Sequence, residues 1–219
     1  MSALDRIQIK GYKSIRNLDL KLAPLNVLIG PNGAGKSNLI SAFELLNEIV
    51  KQNLQLHVGK ASGANTLLHF GRKITDEIKI ELSFGQNGYK CVLAPTAEDS
   101  LVFQDERCWF RDKKRFPGRP YDVFLGQGHK ESQLLGEVER QTRTAVATHV
   151  LRSMRSWRVY HFHDTSASSK MKALGDINDN ADLRHDASNL AAFLYLLQEQ
   201  HPARYKKNRR YRAAGRAVL

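Results

Sequence analysis

"LIGPNGAGKSNLI", residues 28–40, is the stretch on which the fold turns. Gly30, Gly35, Lys36 and Ser37 satisfy the spacing G-x-x-x-x-G-K-[ST] in full. Ahead of it, "LNVLI" (25–29) is a short continuous apolar run, the pattern of a strand buried on both faces. Behind it, Leu39, Ile40, Phe43, Leu46 and Ile49 recur on one face of a helix. Strand, glycine loop and helix in that order predict a phosphate cradle.

Each residue type in the loop has a physical reason. Small residues let the chain wrap a phosphate closely, so that backbone N–H groups converge as an anion nest. The helix beginning near Lys36 adds its unpaired N–H groups and the positive end of its dipole. Lys36 would neutralise the β- and γ-phosphates, and the Ser37 hydroxyl would ligate Mg²⁺. The candidate binding set is Gly30, Pro31, Asn32, Gly33, Ala34, Gly35, Lys36, Ser37 and Asn38, with ATP and Mg²⁺ as the expected ligands.

Working outward, "LDRIQIK" (4–10) and "NLDLKL" (17–22) alternate as a strand and its partner. "EIKIELSF", "GYKCVLAP", "SLVFQ" and "RCWFRD" read as a strand meander, with Asn87-Gly88 as a hairpin turn. Residues 113–131, rich in Gly, Pro and charge, read as an exposed loop. A long helix is expected from about Gln133 to Met154, with Leu134, Val138, Ala145, Val150 and Met154 inward. "WRVYHFH" (157–163) reads as a strand and 164–185 as irregular; Ser188 is placed to cap a last helix over 189–200.

The wording of the amino-terminal part narrows the family. "IKGYKSIRNLDLKLAPLNVLIGPNGAGKSNLISAFELL" resembles the first lobe of ABC-type ATPases of the RecF and SMC (structural maintenance of chromosomes) kind. The resemblance continues more thinly through "RVYHFHDTS…NDN…SNLAAFLYLL". It implies an α/β P-loop NTPase fold, an ABC-ATPase-like first lobe with an antiparallel strand meander and a helical segment. It also implies ATP sandwiched between two lobes, hence dimerisation with itself or a full-length relative, and a role in DNA maintenance, repair or defence. By the same resemblance Lys13 is a candidate nucleotide contact, alongside its reading as a surface lysine in a strand turn.

Members of such a family also need a signature segment similar to LSGGQ at a helix start, an apolar strand ending in Asp-Glu, and a switch histidine. Binding ATP does not by itself lower the barrier to hydrolysis; that takes charge and a positioned water at the γ-phosphate. "LSFGQ" (82–86) and "LVFQDE" (101–106) imitate two of these parts. The first leads into a turn and an alternating strand rather than a helix, and the second places Gln104 where a buried parallel strand needs an apolar residue. Both are read as meander strands, no catalytic residue is assigned, and hydrolysis by this chain alone is expected to be negligible. His161 and His163 would share a strand face, but no cluster with ligand spacing joins them.

Composition bounds the rest. With 219 residues, 42% hydrophobic and 26% charged, the chain is an ordinary globular one. It has no apolar run of bilayer length, the stretch MSALDRIQIKGYKSI lacks the apolar block expected of a secretory signal, and its two cysteines show no C-x-x-C pair. No membrane partner and a cytoplasmic location are expected. Seven Lys/Arg fall in residues 204–216, more than half of the net charge of +12. Residues 1–203 are expected to form the incomplete first lobe. Residues 204–219 form a basic tail, read as disordered or as the product of a lost reading frame. Two alternatives stand beside the ATPase reading. One is a non-enzymatic regulatory or decoy subunit that pairs with a full-length relative; the other is a DNA-binding module acting through the tail.

Overall fold

The computed structural model describes residues 3–112, 118, 120–140, 145–160, 169–184, 186–203 and 205–206. The chain divides into two compact units, Met1–Trp157 and Arg158–Leu219. The first holds a six-stranded sheet with neighbour order β2-β1-β3-β4-β5-β6, every pairing antiparallel. Its strands are β1 (Arg6–Tyr12), β2 (Ile15–Lys21), β3 (Ile78–Phe84), β4 (Asn87–Pro95), β5 (Leu101–Phe110) and β6 (Tyr121–Gly126).

Between β2 and β3 lie α1 (Lys36–Val50), α2 (Leu54–Lys60) and α3 (Ala64–Leu67); α4 (Leu134–Glu139) and α5 (Ala145–Arg155) follow β6. Period-2 alternation gives the sheet one apolar face: Ile7, Ile9, Ile80, Leu82, Tyr89, Cys91, Phe103 and Cys108 are buried. Helix α1 lays Leu45, Leu46 and Ile49 into the same core, and α5 adds Val150 and Met154. At about 25 cal/mol per Å² of apolar surface, each such side chain contributes roughly 1.5–3 kcal/mol. The opposite face is polar, with Lys79, Glu81, Lys90 and Arg107 at alternate positions.

Several expectations are corrected. Residues 25–29 form no strand: Leu25, Val27 and Ile29 are 80%, 71% and 91% exposed. A strand buried on both faces needs neighbours on either side and cover above and below. Here β2 ends the sheet, and no strand among the described residues runs beside 25–29. The hairpin turn is Gly85-Gln86, one step before Asn87-Gly88, because Phe84 pairs with Asn87 and Gly85 takes the positive φ of 63°. "SLVFQ" and "RCWFRD" are one strand, β5, interrupted by a bulge.

Strand β6 lies inside the stretch read as a loop. In place of one long helix the structure has α4 and α5, with residues 141–144 outside the described set and Ala145 exposed. Residues 157–160 are not a strand, and 161–168, with His161 and His163, are not among the described residues. In the second unit the N-cap of α6 (Leu190–Gln200) is Asn189 rather than Ser188. The Asn189 side chain is spent on the preceding loop, donating to the carbonyls of Asp179 and Asp182 and accepting from the Arg184 N–H. Of the basic tail, only Tyr205 and Lys206 are described.

Candidate phosphate site

The glycine loop runs directly into the first residue of α1. Gly33 and Gly35 take φ of 85° and 87°, a region L side chains avoid, and Gly35 is the residue that caps the helix. A helix beginning at Lys36 leaves the N–H groups of Lys36 and Ser37 without intrahelical acceptors, while those of Asn38 and Leu39 donate to the Gly35 carbonyl. They point out of the helix end together with its dipole, the arrangement that binds anions. The Lys36 ammonium reaches back over the loop and donates to the carbonyls of Gly30 and Pro31 at 2.6 and 2.7 Å. Ser37 is exposed. A Cβ built on Gly33 would meet nothing within 4 Å, so the loop has room around it.

These features fit a nucleotide phosphate chain: a glycine loop ending at a helix N-terminus, a lysine held at its mouth and a hydroxyl at the second helical position. Mg²⁺ bound there would take the Ser37 hydroxyl as its protein ligand and draw its other oxygens from phosphate and water. Among the described residues no group of three or more His, Cys, Asp and Glu could hold a metal ion by itself.

Lys13 engages α1. Its ammonium donates to the Ser41 hydroxyl at 2.6 Å, one turn of α1 beyond Ser37. The Tyr12 hydroxyl lies 2.8 Å from the same oxygen and donates to the Ser41 carbonyl at 3.2 Å. Burial pushes the Tyr12 hydroxyl up to about 12; the Ser41 hydrogen bond works against that rise, and the Glu44 carboxylate adds to it. Ser14 touches the loop itself, accepting from Asn38 Nδ2 at 2.5 Å and standing 3.2 Å from where a Gly35 Cβ would be. Ser14, Ser41 and His69, whose Nδ1 lies 2.7 Å from the Lys13 carbonyl, were not legible as site residues. The one available signal was that Ser37 and Ser41 are four apart on a helix.

The imitation motifs are part of the meander. "LSFGQ" is the end of β3 and its turn, and Glu106 of "LVFQDE" lies on the apolar face of β5, fully buried. Its carboxylate accepts from the Tyr89 hydroxyl at 2.7 Å, the Ser132 hydroxyl at 2.5 Å and the Gln133 N–H at 2.8 Å, and it pairs with His129 Nε2 at 2.8 Å. This carboxylate holds residues 129–133 onto the sheet.

A glycine loop feeding a helix N-terminus beside a sheet, in a mixed α/β chain, is the architecture of a P-loop NTPase. Residues 25–212 match the family described as "AAA domain, putative AbiEii toxin, Type IV TA system", and the chain belongs to that family. It is an AAA-family P-loop domain whose amino-terminal part is similar to RecF and OLD proteins. Over 43 residues it is 42% identical to the OLD nuclease of Thermus scotoductus, covering 20% of this chain and 8% of that protein. Over 45 residues it is 49% identical to the DNA replication and repair protein RecF of Erwinia tasmaniensis, covering 20% and 12%. The chain therefore spans only a small part of the length of these curated relatives. A solved structure from work on ATP-driven dimerisation and DNA-stimulated activation of SMC ATPases aligns with 68% of this chain and 80% of its own. That alignment has a TM-score of 0.30 and 18% identity, too slight a likeness to argue from.

Proposed function

We propose that residues 1–203 act as the first lobe of an ATPase and bind Mg·ATP through residues 30–38, with Lys36 on the β- and γ-phosphates and Ser37 on the metal. The observation that carries this reading is the pair of positive-φ glycines at the threshold of α1, with the Lys36 ammonium already drawn over the loop. The names of the relatives, a nuclease and a replication and repair protein, support a role in DNA maintenance, repair or defence. Hydrolysis by this chain alone is expected to be at background. The acid nearest to the expected motif, Glu106, is committed to Tyr89, Ser132, Gln133 and His129.

Titration calorimetry of the full chain with Mg·ATP tests the reading. Lys36→Ala removes a charge-assisted contact and should weaken binding about ten- to a hundredfold. A wild-type chain that takes up no Mg·ATP would overturn it. Steady phosphate release abolished by Lys36→Ala would overturn the expectation on hydrolysis.

A second reading, that the lobe works with a second polypeptide, is favoured by the exposure of Leu25, Val27 and Ile29. An extended apolar segment with unpaired backbone groups is a template for another strand. Co-expression with a full-length relative should yield a stable complex that Ile29→Glu abolishes; a complex indifferent to Ile29→Glu would rule this segment out as the contact.

A further inference from the structure

The geometry points to Ser41 as the positioning residue of the phosphate loop, through a buttress built from the turn Tyr12-Lys13-Ser14. This rests on the nucleotide reading above and deepens it. The turn joins β1 to β2, and Lys13 holds a positive φ of 46°. It is fixed from behind, where the Lys13 N–H donates to the Leu67 carbonyl at 2.8 Å and the Lys13 carbonyl lies 2.7 Å from His69 Nδ1. The His69 N–H in turn donates to the Gly11 carbonyl at 3.0 Å. The main chain at Lys13 is thereby locked to the residues around α3, which frees its ammonium for one task.

That task is to grip α1 from the sheet side. Lys13 Nζ donates to Ser41 Oγ, and the Tyr12 hydroxyl meets the same oxygen and the Ser41 carbonyl. Three residues earlier on the helix, Asn38 is tied to Ser14. The two attachments bracket the first turns of α1 and fix its rotation and its height above the sheet. The phosphate-facing N–H groups of Lys36 and Ser37 belong to those turns, so their direction is set by side chains that never reach the phosphate. An error of about 1 Å in such placement is enough to cost a site much of its effect. Lys13 thus acts on nucleotide through Ser41, not by contact.

The test uses the full chain and Mg·ATP, at a temperature where every variant is folded. Ser41→Ala should weaken binding about tenfold, the worth of one charge-assisted hydrogen bond. Lys13→Met should do the same, and Ser41→Thr, which keeps the hydroxyl, should restore it. Without nucleotide, amide hydrogen exchange over residues 35–40 should speed up in Ser41→Ala while residues 78–95 stay unchanged. Wild-type affinity in Ser41→Ala, or a Thr variant as weak as Ala, overturns the proposal. Loss of affinity in Lys13→Met alone would assign Lys13 to the nucleotide directly and overturn it too. Weakened binding with unchanged exchange would make Ser41 a ligand contact rather than a positioning residue. If the wild-type chain binds no Mg·ATP, the nucleotide reading falls and exchange alone decides: a local rise at 35–40 upholds the buttress, and none removes it.

Discussion

The Tyr89 hydroxyl donates to Glu106 Oε1 at 2.7 Å, with both side chains wholly shut away from solvent. A carboxylate in that position is tolerable only because every partner is in place. Glu106→Ala strands the Tyr89 and Ser132 hydroxyls and the Gln133 N–H together, and should cost about 3–5 kcal/mol in denaturant unfolding. At temperatures where the variant remains folded, its Mg·ATP affinity should equal that of the wild type. A stable variant with lost nucleotide chemistry would mean that Glu106 serves the reaction instead.

Cys91 and Cys108 flank the same carboxylate and are both buried. Burial first, and then the Glu106 charge, push both thiols well above their ordinary range. Only thiolates react quickly with disulfide reagents. The native chain should therefore release no chromophore from a thiol reagent at pH 8, and both cysteines should titrate once guanidinium is added. Rapid native labelling of either would contradict the packing of β4 against β5.

Gly88 faces Trp109 across β4 and β5, and a Cβ on it would meet the indole at 2.0 Å. The clash is with a ring packed at 6% exposure, which has little freedom to move. Gly88→Ala should destabilise the chain by about 1–3 kcal/mol through overpacking. The pair Gly88→Ala with Trp109→Leu should recover part of that loss in a double-mutant cycle.

Asp105 bears on acid stability. Burial pushes its carboxyl up, but hydrogen bonds from Arg107 and Lys90 outweigh that and leave it below the usual carboxylate range. A folded-state value below the unfolded one stabilises the chain above the unfolded value of about 3.9. That contribution is lost as pH falls through the folded value. Asp105→Asn should therefore be less stable than wild type by a constant amount from neutrality to about pH 5, with the gap closing below about pH 4. A gap that widens in acid would refute the assignment.

How far the sequence could be read depended on whether a signal was local. Helix α1 was legible because Leu39, Leu46 and Ile49 repeat at helical spacing and do reach the core. The glycine loop ahead of α1 was legible because its motif occupies consecutive residues. "LNVLI" misled because an apolar run reports an appetite for burial, while burial itself depends on neighbours that must come from elsewhere. The side of β5 that Glu106 faces was hidden by the bulge at Gln104. That extra residue shifts the alternation, so Leu101, Phe103, Glu106 and Cys108 all point inward. Asn87-Gly88 is a strong turn signal on paper, yet the strand keeps Gly88 for Trp109. The grip of Lys13 on Ser41 joins residues far apart in sequence, and no periodicity announces such a contact.

The order of the sheet also sets a timetable for synthesis. Strand β1 lies between β2, its immediate successor, and β3, which the ribosome makes only after the whole segment from Leu22 to Glu77. At about 5–20 residues per second that interval lasts roughly 3–11 s. Throughout it both edges of the hairpin Arg6–Lys21 stand open, that of β1 until β3 arrives, and the glycine loop and its helix emerge with no finished sheet to lie on. The glycine loop is thus translated ahead of the strand that completes its support, Ile78–Phe84.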